Sequence, residues 1–381
     1  MKRTKILHLN GSLDLGGAEK LTRMTVEGLD PGRFEASVCC LKAGGFYADQ
    51  LQRNGYQVDT LLGVDKSAGI TVSLLLKAAW KLYRLLRREQ PDILHSHLFA
   101  ASCLGRLVGR AAGVRRFVVT LHRIEYPRVQ PFLERLFARL TTLYTTDSHA
   151  AADNLSKELG IPRDKIRVIY NGIDRGEFEE APDRDRARHT LGVAPSEFII
   201  GIVAHLVPAK GISFFLTALA GIRHKLGDLK VLIVGDGVLR LDLEAQAGQL
   251  FASGIVQFLG QRGDLALLLS AMDILVLPSS WEGFGLILAE AMYMRVPVIT
   301  TSDGGGCAEV VGNDDGGLLV LYGDTAALGS AILRLYDDPA YRCEQGRRGR
   351  DRVERLFTSE TMIRQYESTY AKMGASGSCA R

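Results

Sequence analysis

The stretch DILVLPSSWEGFGLILAEAM, residues 273–292, moves from an apolar β-branched run through Pro-Ser-Ser and Gly-Phe-Gly into a second apolar run with helical spacing. The first run, bounded by turn residues, predicts a buried strand. The second predicts a helix opening near Phe284. Two carboxylates, Glu282 and Glu290, flank the small residues. In one continuous helix they would stand about 12 Å apart along the axis and roughly 80° apart around it, too far to share a small ligand. With the helix starting at the glycines, Glu282 lies on the loop and Glu290 about two turns inside, an arrangement suited to a long polar ligand. The amides of Gly283, Phe284 and Gly285 at the helix start favour oxygens that carry negative charge. Carboxylates accept hydrogen bonds from vicinal hydroxyls, which a sugar or a ribose supplies in pairs.

Strand–loop–helix units of this kind recur along the chain. KILHLN, EASVCC, QVDTLL, DILHSH, FVVTL, LYTTD and IRVIY read as strands in the first half. FIIGIVAHL, KVLIVGDG, IVQFLG, DILVLPSS, VPVITTS and GLLVL read as strands in the second. Amphipathic segments between them predict two doubly wound α/β domains with mostly parallel sheets. The charged stretch from Asn171 to Glu197 interrupts the rhythm and reads as the linker. The expected division is residues 1–175, residues 176–357, and a terminal helix over 358–381 packing back on the first domain. Ligands of such sheets sit beyond the carboxyl ends of the strands, so facing domains would gather chemistry at residues that follow strands.

Several such residues stand out. Lys210 in VPAKG precedes a helix start, where it can hold a phosphate as a point charge, with His205 five residues earlier. Gly16 and Gly17 follow the first strand, without the spacing of a dinucleotide fingerprint. TTSDGGGCAEVV offers a glycine turn for an anion, and GDG at 235–237 is a further post-strand turn. His95, His97 and His122 end strands in the first half; a lone histidine there is more often a satisfied structural group than a catalyst, but three together point to function, His122 being the favoured one. The DRD of 183–185 has no strand before it and is not taken as a metal site.

Composition sets limits. The 381 residues are 46% hydrophobic and 24% charged, as in ordinary globular domains. No run reaches the roughly 18 apolar residues of a membrane span, and the N-terminus has no secretory pattern, so a cytoplasmic protein is expected. The six cysteines show neither a CxxC pair nor metal-ligand spacing. Residues 1–170 hold 26 Lys and Arg against 16 Asp and Glu, a net +10, while residues 171–381 hold 21 against 27, a net −6. The first half therefore attracts anions. A basic amphipathic segment near 72–89 suits an anionic membrane face or, equally, a helix packed on the sheet with its charges in water. Nucleic acid is not expected, because no aromatic-rich basic groove or recognition motif is present.

Taken in order, GGAE, DILHSH, VVTLH, VIYNGID, LVPAKG, VGDG, SSWEGFGLILAEAM, PVITT, GGGCAEVV, GGLLV and the last helix resemble the family-4 retaining glycosyltransferases over nearly the whole chain. The resemblance implies the GT-B fold of two facing Rossmann-like domains. It implies a nucleotide-diphosphate sugar, UDP-linked before GDP-linked, as donor, and transfer to a saccharide or lipid-linked acceptor in cell-surface polysaccharide, lipopolysaccharide or glycolipid synthesis. It places Glu290 on the ribose and Glu282 on the sugar, with Gly283, Phe284, Gly285 and Leu286 around the sugar and phosphate. Lys210 lies on the diphosphate, helped by the Gly16–Gly17 turn, and His122 near the transferred sugar. Neither a metal nor any other cofactor is implied. The family commonly has Arg where this chain has His205, and an imidazole cannot grip two phosphate oxygens as a guanidinium does. A sugar-nucleotide-binding protein without transfer activity, or an epimerase of the same fold, are the alternative readings.

Overall fold

A computed structural model describes residues 3–14, 16–65, 69, 71–121, 130–312 and 314–375. They form two compact units, Met1–Gly172 with Ser359–Arg381, and Ile173–Thr358. In the first, β1 (Thr4–Asn10), β2 (Phe34–Cys40), β3 (Val58–Thr60), β4 (Ile93–His97), β5 (Phe117–Thr120), β6 (Leu143–Thr146) and β7 (Ile166–Val168) make a sheet in the order β3-β2-β1-β4-β5-β6-β7. In the second, β8 (Phe198–Val203), β9 (Leu229–Val234), β10 (Val256–Gly260), β11 (Ile274–Leu277), β12 (Val298–Thr301) and β13 (Gly317–Val320) follow the order β10-β9-β8-β11-β12-β13. Every pairing is parallel. Each of the thirteen runs read as strands in the sequence overlaps one of them. Each unit thus has the Rossmann strand order, reversing between β1 and β4 in the first and between β8 and β11 in the second.

The apolar runs are continuous because both faces of a parallel sheet are covered by helices. Ile274 to Leu277 are at most 1% exposed, and Phe215, Leu216 and Leu219 of the helix Ile212–Ile222 pack with Ile274 and Val276 in one core. In the first unit the helix Ser359–Ala375 lays Met362, Tyr366 and Tyr370 on Ile6, Phe34 and Ile93.

The stretch read as a linker is not an open connection. Arg184–Leu191 is a helix capped by the Asp183 side chain, which accepts from the Arg186 amide at 2.9 Å. Its Arg188 is buried and donates to Asp273 at 2.7 Å, and Phe178 packs edge-on against Tyr293. One charge of that stretch, Arg188, is thus taken up by a partner 85 residues away.

His95 and His97 are buried in β4. His95 stands opposite His8 in the β1–β4 register. Its Nδ1 pairs with the Tyr370 hydroxyl at 2.7 Å and its Nε2 with the Thr120 hydroxyl at 2.6 Å, while His8 Nδ1 pairs with His97 Nε2 at 3.2 Å. Burial lowers the His8 pKa to about 3. An unfolded histidine takes a proton near pH 6.5, which the folded chain refuses until about pH 3. The stabilising term from this depressed pKa is therefore full above pH 6.5 and is lost as pH falls through that window. The expected loss is roughly 2 kcal/mol by pH 5. Urea denaturation of wild type and His8→Asn between pH 7 and 5 checks it, since parallel curves would remove His8 as the cause.

Candidate active site

The second sheet's switch point lies between β8 and β11, and the two groups singled out by charge follow those strands. After β8, the short turn Pro208–Lys210 is fixed to the end of β11, because the Ser280 amide and hydroxyl both donate to the Ala209 carbonyl, at 2.8 and 3.2 Å. Lys210 is thereby held beside the loop that follows β11, and its Nζ forms an ion pair with Glu282 Oε1. The same oxygen accepts from the buried Ser279 hydroxyl at 2.9 Å. Among the described residues Oε2 takes no hydrogen bond. Lys210 and Glu282 keep 21% and 16% of their side-chain surface, so both remain open to a ligand.

Backbone contacts with the turn after β12 hold Glu282 in place. Its amide donates to the Gly304 carbonyl and its carbonyl accepts from the Gly306 amide, each at 2.9 Å. Between them Gly305 has φ 78°, and a Cβ there would lie 2.3 Å from the Glu282 carbonyl oxygen, so no other residue fits. This turn is the triglycine read in the sequence as a possible anion site. Its Gly306 amide is spent on Glu282.

The helix read from Phe284 begins at Leu286 and runs to Tyr293, with Gly285 left-handed before it at φ 79°. Phe284 is only 2% exposed and packs edge-on against Phe357 at 5.3 Å, so a ligand can meet its backbone but not its ring. Gly283, Gly285 and Leu286 are partly exposed, whereas Glu290, in the second turn, is 5% exposed. Cys307 is buried beneath this corner. Burial first, and the Glu282 carboxylate second, push its thiol well above the ordinary range, so it is a packing group.

His205 is exposed on the loop after β8. The neighbouring GDG turn presses on that loop, since a Cβ at Gly235 would meet the Ala204 carbonyl oxygen at 1.9 Å. In the first unit, Gly16 and Gly17 open the helix Gly17–Gly28 after β1. His122 lies outside the described residues. Ser279 was missed by sequence reasoning, and nothing in a lone serine marks it before the loop closes on Glu282.

The arrangement offers a lysine with N–H donors to spare, a carboxylate with one oxygen in use and one open, and a helix start facing the same loop. Lys210 can hold Glu282 and an anion together, because an ammonium has three donors. Such a set binds a molecule that is anionic at one point and hydroxylated at another.

Comparison with known proteins gives the family. Residues 15–177 match the model of Glycosyltransferase Family 4, and residues 183–352 that of Glycosyl transferases group 1. The chain is 30% identical over 355 residues to the UDP-Gal:alpha-D-GlcNAc-diphosphoundecaprenol alpha-1,3-galactosyltransferase of Escherichia coli, covering 88% of this chain and 89% of the relative. It is 31% identical over 302 residues to the N-acetyl-alpha-D-glucosaminyl L-malate synthase of Bacillus anthracis, covering 77% and 78%. The fold is similar to that of Anabaena HepE solved with UDP and glucose, at TM-score 0.85 and 24% identity over 97% of this chain and all of that one.

Proposed function

Because the chain belongs to the family-4 glycosyltransferases of GT-B fold, we propose that it is a retaining, metal-independent hexosyltransferase that takes its sugar from a UDP-sugar. The acceptor is a saccharide or lipid-linked saccharide of cell-surface polysaccharide, lipopolysaccharide or glycolipid synthesis, met at the inner face of the membrane. The carrying observation is the Lys210–Glu282 pair at the β8–β11 switch point. The name of the Escherichia coli relative, a galactosyltransferase using UDP-Gal and a diphosphoundecaprenol-linked acceptor, supports both the UDP donor and the lipid-linked acceptor.

In this reading Lys210 holds the diphosphate while remaining on Glu282 Oε1, and Glu282 Oε2 accepts from a sugar hydroxyl. Glu290 accepts from the ribose, and the amides of Gly283, Phe284, Gly285 and Leu286 line the sugar–phosphate junction. The acceptor oxygen bonds to the anomeric carbon on the face from which the diphosphate departs. The carbon–oxygen bond to the phosphate breaks, and the acceptor proton passes to the departing phosphate oxygen. No protein nucleophile is needed, and positive charge at Lys210 stabilises the leaving group as it forms. His122, Gly16 and Gly17 are assigned here to the sugar and diphosphate, and His205 to the phosphate position usually held by arginine.

A panel of UDP-, GDP-, ADP- and dTDP-sugars in a thermal-shift assay tests the donor. A ligand at 100 times its dissociation constant adds about 2.7 kcal/mol to the native state. A UDP-sugar is expected to give the largest shift, and Glu290→Ala to abolish it. If no sugar nucleotide raises the melting temperature, the reading fails. Product analysis then separates a glycosylated acceptor from a donor that is bound intact or isomerised.

A further inference from the structure

The helix Val72–Glu89 has two apolar faces, and the fold uses one of them. Ala78, Leu82, Leu85 and Leu86 are at most 6% exposed and pack in the core with Leu7, Leu94 and Phe117. Val72, Leu76, Trp80 and Tyr83 are 77%, 67%, 58% and 40% exposed. At 3.6 residues per turn these four fall within an arc of about 80°, centred roughly 135° from the buried stripe. One stripe suffices to seat a helix on a domain. The second is uncovered.

Charge runs along its border. The helix carries Lys77, Lys81, Arg84, Arg87 and Arg88 against a single acid, Glu89. Lys81, Arg84 and Arg88 line an open cavity of about 530 Å³ together with Trp80, Thr60 and Asp59. The Arg84 guanidinium stacks over the Trp80 ring at 4.8 Å, and Lys81 Nζ reaches the Leu61 carbonyl at 2.7 Å. Asp59 is already paired with Arg88 at 3.5 Å. The helix Phe99–Ala112, packed alongside, exposes Leu107 at 54% next to the exposed Arg110.

We propose that this face docks on an anionic phospholipid bilayer, with Leu76, Trp80 and Tyr83 entering the boundary between headgroups and acyl chains. Lys77, Lys81, Arg84 and Arg87 then meet the lipid phosphates. Trp and Tyr suit that depth because each joins an apolar ring to a polar tip. A cationic row beside an apolar stripe is complementary to an anionic interface. A second copy of this chain would bring one cationic face against another, which the charges oppose. The docking surface rests on the membrane-face acceptor proposed above and gives it a location on the molecule.

The full chain is sedimented at low salt with vesicles of phosphatidylcholine alone and with increasing phosphatidylglycerol, while tryptophan emission is followed. Binding is expected only with the anionic lipid, weakening as salt rises, with a blue shift that Trp80→Phe removes. Each cation near such a surface contributes about 1 kcal/mol, so Arg84→Ser with Arg87→Ser weakens binding roughly thirtyfold. Leu76→Ser with Tyr83→Ser does so as well. These side chains are exposed, and unchanged melting curves establish that the variants fold.

Several outcomes overturn the proposal: equal binding to neutral vesicles, none to anionic ones, or variants that bind like wild type. So does inorganic phosphate alone reproducing the Trp80 shift, or a dimer in solution that Leu76→Ser dissolves. The donor panel is run without vesicles. If it succeeds while vesicle binding fails, only the docking surface falls; if it fails, the transfer reading falls whatever the vesicles show.

Discussion

Lys210→Ala is expected to lower kcat by about a hundredfold to a thousandfold, the range for removing one preorganised donor from developing negative charge. Two effects act together. The leaving diphosphate loses its counter-charge, and among the described residues Glu282 Oε1 keeps only the Ser279 hydroxyl as partner. The carboxylate then faces the diphosphate with its charge uncompensated, and like charges in a partly buried site repel. The double variant Lys210→Ala, Glu282→Gln removes that repulsion and should lose less than the product of the two single losses. Steady-state rates with the donor selected by thermal shift supply the cycle. If Lys210→Ala stays within tenfold of wild type, or the two losses simply multiply, the ion pair has no part in holding the donor.

The sequence makes the strand pattern legible because each parallel strand is buried on both faces and so appears as an unbroken apolar run; Ile274 to Leu277 is one such run. That the strands run parallel follows from their alternation with helices; their order within each sheet does not, because doubly wound sheets of different order share that alternation. The position of Lys210 and Glu282 after strands β8 and β11 was equally visible. That they touch was not, since 72 residues separate them and only the closing of the sheet joins them. Other long-range pairings were equally hidden. Nothing in the sequence places Asp273 beside Arg188, or Tyr370 and Thr120 on the two ring nitrogens of His95. Nor can the sequence show that Glu282 takes the Gly306 amide of the triglycine turn.

Arg106 and Glu134 carry the same lesson into stability. Both side chains are fully buried, where a charge is costly unless it is paired and hydrogen-bonded. The guanidinium meets the carboxylate through two bonds, at 2.7 and 2.8 Å, and the Tyr144 hydroxyl donates to the same carboxylate at 3.0 Å. Burial, and after it the Glu134 charge, raises the Tyr144 pKa, so the phenol stays a donor. Arg106→Leu strands the carboxylate and is expected to cost roughly 3–5 kcal/mol, or about 6–20 °C in melting temperature at 2–4 °C per kcal/mol for a unit of this size. Glu134→Leu strands the guanidinium and should cost about as much. Removing both leaves no orphaned charge, so the double variant should melt above either single one even though it has lost more bonds. Calorimetric melts of the four proteins decide it: a double variant less stable than both singles would mean that the pair contributes as ordinary contacts do, and that neither charge is the liability its burial implies.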